Sequence, residues 1–109
     1  MKVLLDVCTP VQVRNALPGH DVQTAVKMGW GELENGDLLH AADLAGFDLL
    51  IICDKNLRHQ QNLAWNRLAV LELWTNHRPT LENHWRYIQG AAEAMRPGEY
   101  RALPAPERV

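Results

Sequence analysis

An α/β domain with a mostly parallel, four-stranded sheet between helices is the fold class this sequence predicts. Three observations predict it. Apolar runs of strand length recur at MKVLL, FDLLIIC and LAVLELW, and amphipathic or capped segments of helical length lie between them. The first two of these runs, which are the first and third expected strands, are each followed at once by an aspartate, Asp6 and Asp54. The order strand, helix, strand, helix, strand, helical or looped segment, strand, helix favours a parallel sheet with right-handed crossovers.

The elements follow in order. Met1–Leu5 suits a strand buried on both faces. Pro10 opens a short helical segment over Val11–Leu17, proline being tolerated in a first turn. Pro18-Gly19 marks a turn, and Asp21–Ala25 is a short second strand. Lys27–Gly36 has three glycines and is expected to loop. Asn35 is a candidate cap for a helix over Asp37–Ala45, whose Leu38, Ala42 and Ala45 share one face with Leu39 beside them. Gly46 ends it.

Phe47–Cys53 is the clearest buried strand. Residues 55–67 are polar, helical or looped. Leu68–Trp74 is the fourth strand. A last helix is expected from Thr80 to Met95, with Leu81, Trp85, Ile88, Ala92 and Met95 at helical spacing, stopped by Pro97-Gly98. Residues 1–97 thus form one domain, and 98–109 a loose proline-containing tail.

Bulk properties narrow the function classes. A chain of 109 residues with 47% hydrophobic content is of single-domain size with material for one core. No apolar run is long enough to span a membrane. MKVLLDV lacks the apolar stretch and cleavage site of an export signal, so the cytosol is the expected compartment. Cys8 and Cys53 are then expected to be reduced, and a C-x-x-C motif is absent. A net charge of −2 speaks against a generic polyanion binder. The charge is unevenly spread: residues 1–54 hold three basic and eight acidic side chains, residues 55–109 eight basic and five acidic. Chance and solvated helix faces account for such a split. So does a first half that supplies cation ligands and a second half that meets an anion. The phosphate-loop, dinucleotide and nucleophile-elbow motifs are absent, which excludes the common kinase, dehydrogenase and serine-hydrolase designs.

Open parallel sheets bind ligands beyond the carboxyl ends of their strands. Asp6 and Asp54 are expected there, and they converge if the first and third strands are neighbours. Asp37 opens the helix that leads into the third strand, where the helix dipole alone also favours an acid. A hard cation, Mg²⁺ or Mn²⁺, takes carboxylate and water oxygens and relieves repulsion between such acids. Asp54 has a capping role as its alternative. Asp43 is read as an exposed helix residue and Asp48 as the polar start of a strand.

Lys55 and Arg58, just after Asp54, are candidates to hold phosphates, with a solvated polar segment as the plain alternative. The histidines lack paired zinc spacing. The cysteines are read as buried and inert, and the tryptophans mainly as core.

VLLD-x-x-x-P, LPGH, V-x-x-MGW, NG-D-LL-x-A-A and DKNLRHQQNL together resemble the small PIN-like proteins, compact relatives of PIN-domain nucleases, over nearly the whole chain to Arg96–Glu99. The resemblance implies a three-layer PIN-like fold and a metal-dependent ribonuclease, catalysed and ligated through Asp6, Asp37 and Asp54. It implies Asn76 as the nearest candidate for a polar group after the fourth strand. It also implies RNA as substrate, an antitoxin-like protein as inhibitor and a homodimer. Two motifs depart from the family pattern: Val7 stands where a second acid is usual, and Asn56 and Leu57 replace the end of D-x-D-F. Those departures fit a catalytically weak or inactive interaction module of the same fold.

Overall fold

The computed structural model describes residues 1–53 and 67–106. Five strands form one all-parallel sheet: β1 (Lys2–Leu5), β2 (Asp21–Thr24), β3 (Leu49–Ile52), β4 (Ala69–Glu72) and β5 (Tyr100–Ala102). Their spatial order is β2-β1-β3-β4-β5. The sheet is therefore α/β and parallel as expected, but it has five strands and not four. The added strand comes from the segment expected to be a loose tail. Val70 N–H donates to Glu99 O at 2.8 Å and Leu103 N–H to Glu72 O at 2.8 Å, so the backbone after Pro97-Gly98 completes the β4 ladder. Buried Leu103 anchors it. A three-residue strand of sequence YRA leaves little periodic signal to detect.

The core has two sides. On the first face, Val3, Leu5, Leu49, Ile51 and Leu71 pack against Val13 and Ala16 of a 3₁₀ helix (Val11–Ala16), against Leu17 just after it, and against Leu81, Ile88, Ala91 and Ala92. The last four belong to α2 (Arg78–Glu82) and α3 (Trp85–Glu93). The first helix of the chain, α1 (Asn35–Leu44), covers the second face. There Leu38, Leu39 and Ala42 meet Leu4, Leu50, Ile52 and Val70. The alternation of Val3, Leu4 and Leu5 between the two clusters is what a strand buried on both sides requires.

Three local expectations are corrected. The segment read as one helix from Thr80 to Met95 is two, broken at Asn83 and His84; His84 adopts φ −133° and its N–H bonds Leu81 O. The break lets both Leu81 and Ile88 become fully buried. Helix α1 begins at Asn35, with Glu34 in the capping position, so Asn35 is not the cap. The segment after Pro10 is 3₁₀ in form, too short for a stable α-helix.

The hand of the crossovers also differs from expectation. β1 to β2 steps one way along the sheet over the first face, and β2 to β3 steps back over the second face through α1, which gives both the same hand. β4 to β5 steps in the β2-to-β3 direction, yet α2 and α3 lie on the first face. That last connection has the opposite hand. Its apolar stripe joins the cluster already formed by the 3₁₀ helix, and this shared burial outweighs the usual preference.

Candidate functional site at the carboxyl edge of the sheet

β1 and β3 are neighbours, with Leu5 opposite Ile51. From β1 the chain leaves toward β2 on one side, while β3, β4 and β5 lie on the other, so the β1–β3 junction is the switch point of the sheet. Asp6 sits at this junction. Its N–H continues the ladder to Ile51 O at 3.1 Å, and its side chain is only 7% exposed. One carboxylate oxygen, Oδ1, accepts the N–H of Cys8, a local turn that fixes the acid.

The surroundings are built from the loop that follows. Thr9 is buried, donates its hydroxyl to Ile51 O at 3.1 Å, and lies 3.7 Å from Cys53 Sγ. The Cys53 thiol in turn donates to Thr75 O at 3.4 Å. Burial, offset in part by the Thr9 hydrogen bond and reinforced by nearby Asp6, Cys8 and Glu72, pushes Cys53 up to about 11. It is held as a neutral thiol, in keeping with an inert cysteine. Cys8 is exposed, contrary to the expectation that both cysteines are buried.

A cleft of about 380 Å³ opens beside Asp6, lined also by Val7, Thr9, Val11, Thr24 and Val26. Among the described residues Asp6 is the one ionisable group on its wall. Val7, Val11 and Val26 are 53%, 41% and 67% exposed, an unusual concentration of bare apolar side chains at one mouth.

One buried acid escaped the sequence reading. Glu72, the last residue of β4, is 5% exposed and accepts the Tyr100 hydroxyl at 2.5 Å. Ile52 stands opposite Glu72 in the register, one step beyond the Leu5–Ile51 pair. Asp6, Ile52 and Glu72 therefore form a row across three adjacent strands, with Asp6 and Glu72 about two strand spacings, roughly 10 Å, apart. A charged residue inside the apolar run LAVLELW was the available signal.

The expected site residues fall as follows. Asp6 is at the predicted edge and buried. Asp37 is exposed in the first turn of α1, which starts from that same edge because it follows β2. Asn76 is exposed between β4 and α2. Asp54, Lys55 and Arg58 lie outside the described residues. Among the described residues no group of three His, Cys, Asp or Glu side chains is arranged to hold a metal ion. The described part thus supplies one buried carboxylate and one exposed acid at the same edge.

Asp48 is exposed at the start of β3, as expected, and Asp43 is half-buried, its Oδ1 accepting Leu68 N–H at 3.2 Å. Trp30 packs edge-on to Phe47 with centroids 6.0 Å apart, and Trp74 and Trp85 pack against the first-face core. Trp65 is outside the described residues. No helix among the described residues is long and apolar enough to cross a membrane. No family model, curated protein or solved structure matches this chain.

Proposed function

We propose that this chain is a Mg²⁺- or Mn²⁺-dependent ribonuclease of the PIN-like type, acting at the carboxyl edge of its sheet. The observation that supports this reading is the buried Asp6 at the β1–β3 switch point, opening on a cleft. Strand carboxyl ends present carbonyl oxygens, so a carboxylate buried among them favours a cation. In this reading Asp6, Asp37 and Asp54 hold the ion. When bound, it supplies activation of water and neutralisation of a phosphodiester oxygen. Asp6 is fixed by its Cys8 hydrogen bond, so the carboxylate is positioned before substrate arrives. Lys55 and Arg58 steady the phosphate chain, with Asn76 as a further polar contact. RNA is the substrate, and an antitoxin-like protein and a second copy of the chain are the partners of this reading.

The second reading is an interaction module of the same fold without catalysis. It is favoured by the exposed Val7, Val11 and Val26 around Asp6, with Val7 in the place of a second acid. Titration of Mg²⁺ and Mn²⁺ against thermal stability separates the two, because a ligand bound only by the folded state raises the midpoint. The ribonuclease reading expects such a rise, chelator-sensitive cleavage of single-stranded RNA, and loss of both in Asp6→Asn and in Asp54→Asn. The two losses should not add, since both residues serve one ion. Wild-type protein with neither stabilisation nor cleavage leaves the interaction module.

A further inference from the structure

The opposite, amino-terminal edge of the sheet holds a second concavity, of about 350 Å³. It lies between the starts of β3 and β4, about one strand length, roughly 13 Å, from the edge that carries Asp6. Its apolar lining is Met1, Phe47, Leu49, Ala69, Met95 and Pro97, of which Phe47, Leu49 and Ala69 are buried. Arg67, Arg96, Asp43 and Asp48 supply its polar lining.

The charges here are not paired with one another. Asp48 Oδ2 accepts the N–H of Lys2 at 2.8 Å, and Asp43 Oδ1 accepts the N–H of Leu68. Glu99, close by in sequence, is taken by Arg101 through two hydrogen bonds of 3.1 and 2.9 Å and by the backbone N–H of Arg96 at 2.9 Å. The carboxyl end of α1 is also engaged: Lys2 Nζ donates to Ala45 O at 2.9 Å and sits 4.4 Å above the Phe47 ring. Each neighbouring acid thereby has at least one oxygen engaged by a donor other than Arg67 or Arg96 side chains. Among the described residues the guanidinium groups of Arg67 and Arg96 make no hydrogen bond or ion pair, and both residues are exposed on the wall of the concavity. A guanidinium is a planar fork of donors matched to carboxylate and phosphate oxygens.

We infer that this concavity is a small-molecule site, separate from the carboxyl edge, for a ligand with an anionic oxygen head and an apolar body. Arg67 and Arg96 take the head. Phe47, Leu49, Ala69 and Met95 take the body. The second oxygens of Asp43 and Asp48 are placed to accept a hydrogen bond from an amino or hydroxyl group on the ligand. A volume near 350 Å³ falls at the small end of ligand sites, the size of a mononucleotide or an aromatic acid. Neither arginine belongs to the proposed nuclease centre, so this site stands or falls apart from it.

The test is titration of the full chain with adenosine monophosphate, adenosine, phenylacetate and inorganic phosphate, followed by backbone amide shifts. Saturable binding of adenosine monophosphate or of phenylacetate is expected, with the largest shifts at Gly46, Phe47, Asp48 and Arg96. Adenosine monophosphate binding where adenosine does not identifies a phosphate ester head; phenylacetate binding alone identifies a carboxylate. Arg67→Ala and Arg96→Ala, both at exposed positions, should each weaken binding by about tenfold or more, the scale of a charge-assisted hydrogen bond. The inference is overturned if neither organic anion saturates, or if affinity survives in the double arginine variant. It is equally overturned if inorganic phosphate binds as tightly as the ester, or if the shifts gather around Asp6 and Thr24.

Discussion

The two edges of one parallel sheet treat carboxylates in opposite ways. At the amino edge, Asp43 and Asp48 stay half-buried or exposed and accept backbone N–H groups from Leu68 and Lys2, where strands begin. At the carboxyl edge, Asp6 and Glu72 are more than nine-tenths buried. The chemistry of the backbone explains the difference. A parallel sheet leaves unpaired N–H donors where its strands start and carbonyl acceptors where they finish. An acid at the first edge caps what the sheet leaves over. An acid at the second must find a donor elsewhere: Asp6 finds the N–H of Cys8 and Glu72 the hydroxyl of Tyr100. The carboxyl edge is therefore where a buried acid costs most, and where a cation would gain most.

The contrast can be broken most directly at Glu72. Tyr100→Phe leaves a buried carboxylate without its hydroxyl donor and should cost about 1.5–3 kcal/mol in urea unfolding, the range for hydrogen bonds to charged groups. Glu72→Gln, which keeps an acceptor, should cost less, and a double-mutant cycle should show the two positions coupled. Losses no larger than those at exposed sites would mean that burial at this edge carries no special penalty.

Asp48→Ala at the other edge should cost less, about 0.5–1.5 kcal/mol, as for an ordinary hydrogen bond, measured the same way. If it costs more than Tyr100→Phe, the ordering of the edges is reversed. A reactivity difference comes next in size. Exposed Cys8 should be alkylated at mildly alkaline pH while Cys53, with its thiol pushed up to about 11 by burial, reacts far more slowly. Mass mapping of the modified peptides decides it, and equal rates would deny Cys53 its buried environment.

The smallest effect concerns Glu99, beside the amino edge. The Arg96 N–H and then the Arg101 side chain hold its carboxyl below the usual 4.5. A carboxyl lowered in the folded state favours folding above 4.5, and that contribution is lost as pH falls through its folded value. Glu99→Gln should therefore flatten the acid limb of the thermal midpoint slightly, since the group meets solvent. An unchanged acid limb would show that the contacts of Glu99 are not selective for the charged form.

The parts of the molecule legible beforehand share a cause. FDLLIIC and LAVLELW are continuous apolar runs, and such runs can only be strands buried on both sides or core helices; their length chose strands. They became β3 and β4, each trimmed to four residues. Asp6 was legible because an acid at the end of such a run is conspicuous. Glu72 carried a weaker signal, a lone charge inside an apolar run, whose meaning depends on the Tyr100 hydroxyl that a distant strand brings to it. Leu81 and Ile88 correctly marked an inward stripe, but the break at His84 depends on how two short helices share one core.

By itself the sequence determined the class: alternating buried strands and helical segments, a mostly parallel sheet, and an acid at the end of the first strand. Those features are local, set by periodicity and by residues a few positions apart. Only the tertiary structure decided the fifth strand, the opposite hand of the last crossover, and the row of Asp6, Ile52 and Glu72. It alone also left Arg67 and Arg96 together on one wall. Each of these joins residues far apart in the chain, and long-range burial and hydrogen bonding, invisible to any local pattern, set their partners.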